Sequence, residues 1–234
     1  MPSGAFRSYK QRWLVFTIDA CVLILVALSS FKGKTMTYGV GRQFLIAMTQ
    51  KQTSVFWLVP LIVLQSIILT ERIPMLQLSH VQRVEDLWIQ IRRLALGELR
   101  QVFYSELFAL IVVIIATQWQ SRQFVVQDEV TSVILLCLLQ LWVYLLIIGS
   151  ILLTNLFEHF AARLVTVLVF FTSNFIVTII YSLNFGIYGM SALLMRKSVT
   201  LVLVVLNCVE AICLMSLLRM GALWFFERKD YFFG

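Results

Sequence analysis

Six long apolar runs alternate with short polar stretches along the chain, at about 13–31, 54–70, 102–119, 131–157, 164–183 and 199–226. A helix needs about 20 mostly apolar residues to cross the hydrocarbon core of a bilayer, so each run predicts a membrane span. The first reads WLVFTIDACVLILVALSSF and the third VFYSELFALIVVIIATQW. The sixth is long, and its end, LWFFERKDYFFG, is expected to run along the interface. Between the second and third runs the period changes. In Ser79–Arg100, SHVQRVEDLWIQIRRLALGELR, the apolar positions Val84, Leu87, Trp88, Ile91, Leu94, Ala95 and Leu99 recur at helical spacing, which predicts an amphipathic helix. Ser79 with Gln82 fits a capping box, and Pro74 breaks the chain beforehand. Acids early and arginines late suit the helix dipole. Such a helix can also continue directly into the third span.

Composition agrees with the pattern. Of 234 residues, 60% are hydrophobic and 13% charged, with a mean hydropathy of +0.90; soluble domains are nearer a quarter charged. The net charge of +7 does not point to nucleic acid, because the cations flank apolar runs instead of lining one face. With six spans and both termini inside, the inside segments hold twelve Lys and Arg and the outside segments seven, the bias expected of cytoplasmic termini. Tryptophans near span ends, Trp13, Trp119 and Trp224, fit an aromatic belt. The loop at 32–53 carries four cations and no acid, and a short interfacial helix is expected around GRQFLIAMTQ. The basic start and apolar first run resemble a signal peptide, but Asp19 within the run favours a retained span.

Candidate chemistry is sparse. Cys21, Cys137, Cys208 and Cys213 all stand in apolar runs, without the polar partners of a metal or disulfide framework. His159 and His80 are far apart, and neither a zinc-protease nor a serine-hydrolase motif occurs. The charged residues in or near spans are Asp19, Glu106 and Glu210, costly positions that default to functional hypotheses. Asp19 is placed to meet Arg12. Glu106 is placed to snorkel or to meet Arg100. Glu210, with Asn207 one turn earlier, is placed to meet a cationic peptide in transit or a cation on another helix. Thr172, Ser173, Asn174 and Thr178 make one side of the fifth span polar, for helix packing or for lining a path. No Gly-x-x-x-x-Gly-Lys-Ser/Thr loop is present, and GVGRQF lacks the lysine and hydroxyl, so the chain is not expected to cradle ATP phosphates itself.

The layout resembles the permease subunits of type-2 ABC transporters, and within them the small permeases of Gram-positive bacteria linked with bacteriocin or other antimicrobial-peptide export and immunity. The resemblance lies in a basic amphipathic start (SGAFRSYKQRW), QRVEDLWIQIRR between the second and third spans, a short inner turn (NLFEHFAAR), an outer segment (SLNFGIYGMSALLMRKS) and an FFERKDYF tail. It implies an all-α integral membrane protein: one domain, 1–234, with six transmembrane helices. An interfacial segment would cover 1–12, a cytoplasmic amphipathic coupling helix would lie within 71–101, and an outer, re-entrant type of segment would cover 184–198. The permease would be non-catalytic and would sit in the bacterial plasma membrane among lipid, with both termini cytoplasmic. It would form the translocation path in a dimer with a second permease and couple to a separate ATPase carrying ATP and Mg. A membrane-active peptide would be the substrate. The resemblance assigns coupling to Arg83, Glu85, Asp86, Trp88, Arg92 and Arg93, and the path to Asn174, Asn207 and Glu210. An independent carrier or channel, with broken helices and paired ionisable residues near mid-membrane, is the competing expectation, for which Pro60 and Gly186–Gly189 leave room. A membrane enzyme finds no catalytic constellation.

Overall fold

The computed structural model describes residues 9–31, 39–50, 53, 58–69, 84–121, 126–154 and 201–228, with single positions at 161, 164, 165, 168, 172 and 176. Six helices occupy these stretches, and no strand occurs among the described residues. They are α1 (Tyr9–Phe31), α2 (Val40–Thr49), α3 (Val59–Leu69), α4 (Val84–Ser121), α5 (Val126–Thr154) and α6 (Leu201–Arg228). Four contain stretches long and apolar enough to cross a membrane: Arg12–Ser29, Trp88–Thr117, Thr131–Leu152 and Val204–Trp224. The chain is therefore read as a helical membrane protein. Their polypeptide bonds are satisfied within each helix, the condition for crossing a medium without water. The predicted fifth span and the segment 184–198 lie outside the continuously described residues, as do 1–8 and 70–83.

α5 is the central post. It packs against α2, α3, α4 and α6, while α1 lies mainly along α4. Leu135, Leu136, Leu139, Val143, Ile147, Ile148 and Ile151 of α5 are buried in the core. By contrast α6 leaves Val205, Leu206, Val209, Ile212 and Leu217 exposed, a surface suited to hydrocarbon.

α4 and α5 form an antiparallel hairpin of matched depth. Glu106 lies 15 residues before Ser121 and Gln140 lies 14 after Val126, about 22 Å and 21 Å along their helices, and the two side chains meet. α1 and α4 instead run in the same direction. Moving from Arg12 to Phe16 and Asp19 on α1, the neighbours on α4 advance from Gln101 to Phe108 and Glu106. Of the predicted second span, the helix α3 is described over 11 residues, about 16 Å.

The expected short helix after the first span forms, as α2, but not at the lipid surface. All its residues except Gln43 are buried, and it packs against α1, α4 and α5. Phe44, Leu45, Ile46, Ala47 and Met48 are five consecutive apolar residues, all buried, and their burial holds α2 in the body. Thr49 turns its hydroxyl back onto the Leu45 carbonyl at 2.8 Å, so it needs no outside partner.

Candidate functional site

The amphipathic helix and the third span are one element. α4 runs unbroken for 38 residues, about 57 Å, against a hydrocarbon thickness of about 30 Å. α4 is thus longer than one crossing needs, and its amphipathic first part, 84–101, which overlaps the apolar stretch Trp88–Thr117, is termed the arm. Arg92 and Arg93 are exposed on that arm, while Trp88, Ile91 and Ala95 are buried in the core. Trp88, expected among the exposed contacts, is 6% exposed and anchors the arm to the body. Glu85 and Asp86 belong to the first turn of α4, and Arg83 lies outside the described residues.

A polar seam crosses the apolar body where α1, α4 and α5 meet. Asp19 is 2% exposed and Glu106 1%. The amide Nε2 of Gln140 donates to Oε2 of Glu106, across 34 residues of sequence. Asp19 is the electrostatic neighbour of Glu106. Among the described residues, Asp19 Oδ2, Glu106 Oε1 and Gln140 Oε1 have no hydrogen-bond partner. On α3, Gln65 is also buried, with neither amide atom bonded among the described residues.

Two expected pairings are corrected here. Asp19 faces Glu106 and not Arg12, because seven residues carry it about 10 Å along α1, away from the exposed Arg12 and into the body. Glu106 does not reach Arg100 or snorkel out. Arg100 donates from Nε to the Tyr104 hydroxyl at 3.1 Å and lies over the Tyr104 ring at 5.4 Å.

Buried hydroxyls behave differently from these carboxyls and amides. Ser105, Thr117 and Ser150 each donate to a carbonyl of their own helix, that of Val102, Val113 and Leu146 respectively, at 2.6–2.8 Å. Back-bonding of this kind satisfies a short side chain locally. A carboxylate only accepts, and no backbone N–H is spare in mid-helix, so Glu106 requires a donor from another helix. Gln140 was absent from the candidates drawn from the sequence. Its signal is a lone amide within LLCLLQLWVYLL.

Of the expected path residues, Asn207 joins α6 to α5. Its Oδ1 accepts the indole N–H of Trp142 at 2.7 Å. Glu210 is half-buried on the next turn of α6. Asn174 lies outside the described residues. Among the described residues no group of three His, Cys, Asp or Glu side chains is placed to hold a metal ion.

The chain matches no family model, no curated protein and no solved structure.

Proposed function

We propose that this chain is the membrane-spanning permease subunit of an ATP-driven transporter of the type-2 ABC class. In that role it forms half of a translocation path and takes its motion from a separate ATPase that binds ATP and Mg. The observation that carries the reading is the unbroken α4, whose exposed Arg92 and Arg93 stand on an arm continuous with a span. A helix without a break transmits a push at one end as displacement at the other, whereas a hinge would absorb it. Exposed arginines supply planar, multidentate contacts for a partner's carboxylates. The exported substrate is a membrane-active peptide, as the resemblance to peptide-export permeases implies. The arm lies on the cytoplasmic side of a bacterial plasma membrane, and the second half of the path is the same or a homologous permease.

The deciding experiment is purification of the tagged chain from its native membrane in mild detergent, beside an Arg92→Glu, Arg93→Glu double variant. A stoichiometric ATPase should accompany the native chain and be lost from the variant, with transport lost and membrane insertion retained. A native chain that purifies alone, under conditions that preserve other complexes, overturns the proposal.

A second reading is favoured by the Asp19–Glu106 pair. Buried intramembrane carboxyls are places to hold a proton or cation in transit. An independent carrier built on that pair gives ion-coupled flux in liposomes without ATP, and Asp19→Asn abolishes that flux.

A further inference from the structure

Asp19, Glu106 and Gln140 stand within three different apolar stretches, Arg12–Ser29, Trp88–Thr117 and Thr131–Leu152. Two contacts fix the register of α1 on α4. The Gln101 side chain donates to the Arg12 carbonyl at 3.1 Å, and Phe16 meets Phe108 at 5.9 Å between ring centres. Counted from the first contact, Asp19 lies seven residues along α1 and Glu106 five along α4, about 10 Å and 8 Å. The two carboxyls therefore stand at nearly the same depth, and Glu106 is the charged group that acts on Asp19.

What this seam lacks is donors. Asp19 and Glu106 are almost fully buried, and Gln140 is nine-tenths buried. Asp19 Oδ2, Glu106 Oε1 and Gln140 Oε1 have no hydrogen-bond partner among the described residues, and all three atoms are acceptors. The Gln140 amide nitrogen is already given to Glu106 Oε2, and that bond holds the orphaned amide oxygen against the pair. No cation makes up the shortfall among the described residues. Glu106 acts on Asp19, Gln140 acts on Glu106, and no arginine acts on either. Of the other helices packed nearby, α2 carries the buried Arg42 and α6 the half-buried Glu210, and neither acts on the pair. α3 carries no charged residue. On α5, one turn from Gln140, the Tyr144 hydroxyl is buried and bonded to nothing among the described residues. On α1 and α4 the arginines nearest in sequence, Arg12 and Arg100, are exposed, and Arg100 is bonded to Tyr104.

We propose that Asp19 and Glu106 hold one proton between them. Asp19 carries it on Oδ2 and donates it to Glu106 Oε1, so a single proton satisfies both orphaned carboxyl oxygens. Glu106 keeps the negative charge and accepts twice, from Asp19 and from Gln140. Two carboxylates facing each other away from water do not both stay ionised, and an O–H donated to a carboxylate is a strong, charge-assisted bond. The proton is thus a latch between α1 and the helix that bears the arm. Its loss sets two like charges against each other and loosens α1 from α4. The latch is a property of the folded chain and stands whichever transport reading holds.

The test is infrared spectroscopy of the full chain in mixed micelles at neutral pH, joined to unfolding titrations. The native chain should show the C=O stretch of a protonated carboxylic acid. Asp19→Asn and Glu106→Gln should each remove that whole band, because either change ends the sharing, while Glu210→Gln should leave it. Two bands, one lost with each variant, would put a proton on each acid and overturn the proposal. So would the absence of any band that responds to both variants, including the case in which added sodium stabilises the native chain and a cation fills the seam instead. The Asn amide donates to Glu106 as the acid does, so Asp19→Asn should fold with a stability close to that of the native chain at neutral pH. As pH is raised, the native chain should lose stability relative to Asp19→Asn by about tenfold in the folded-to-unfolded ratio for each pH unit beyond the loss of the proton, since only its folded state binds that proton. Glu106→Gln should show the same insensitivity as Asp19→Asn. Parallel pH profiles for the native chain and both variants overturn the proposal.

Discussion

Gln140 on α5 donates its amide to the carboxylate of Glu106 on α4, inside the apolar body and at equal depth from the turn of the hairpin. The bond joins the central post to the helix that carries the arm. In a medium without water, a buried carboxylate that loses its donor has nothing to replace it.

Gln140→Leu should therefore destabilise the protein by about 1.5–3 kcal/mol, the range for hydrogen bonds to charged groups. Glu106→Leu combined with Gln140→Leu should recover much of that loss, because no orphaned carboxylate remains. Unfolding titrations of the two single variants and the double variant in mixed micelles measure the coupling. Additive losses would show that the two groups do not act as a pair.

The Trp142–Asn207 bond makes a smaller claim on stability. Trp142→Phe removes the indole N–H but keeps most of the ring that packs at the α5–α6 contact. A loss of about 1 kcal/mol is expected, since interhelical bonds in membranes average about 0.6 and reach about 1.7 kcal/mol. Asn207→Leu should cost little more in the Trp142→Phe background, as read by the same titrations.

Continuity of α4 is open to a direct distance measurement. Ile89 and Ile111 are both exposed and lie 22 positions apart on one unbroken helix, about 33 Å and close to six whole turns, so they share a face. Spin labels at Ile89→Cys and Ile111→Cys, with the native cysteines replaced, should give one narrow distance near that value by pulsed electron resonance. Leu96→Pro, at an exposed position between them, should shorten and broaden it, since an interior proline breaks a backbone bond and kinks the helix at a cost of about 3 kcal/mol. A broad distribution in the chain without the proline would reveal a hinge and remove the lever from the proposed mechanism.

Cys137 reports on what surrounds α5. It is a free, exposed thiol standing 11 residues beyond Val126, about 16 Å along the helix. In intact membranes a charged, water-soluble maleimide should leave it unlabelled, while a lipid-soluble one should react. Labelling of Cys137 by the charged reagent in folded protein would mean that this face lines water, and would favour the carrier reading.

The helical class, the four long spans and the amphipathic stretch before the third were legible in the sequence because each is a property of one segment. A run of 20 apolar residues has one stable answer in a bilayer, and a 3.6-residue period has one preferred conformation. Arg93 falls off the apolar face and is exposed, and Arg92, at the edge of that face, is exposed as well. Trp88 belongs to the apolar positions of that period yet is expected as an exposed contact, and it is buried, so periodicity was the better guide there than residue type.

Pairing between segments was another matter. Nearness in sequence matches Asp19 to Arg12, yet its electrostatic neighbour Glu106 lies on a helix far along the chain. A single amide such as Gln140 leaves no mark on a hydropathy pattern, which averages it into its apolar surroundings. The cations around α2 suggested a surface helix, and packing against three other helices placed it inside. The sequence by itself determined which segments are helical, which are apolar enough for a membrane and where the cations concentrate, since those follow from local composition and period. Only the tertiary structure decided that α1 runs parallel to α4, that Glu106 takes its donor from α5 and that Asp19 faces Glu106. Contacts between helices depend on their rotation and depth relative to each other, and no single helix encodes either.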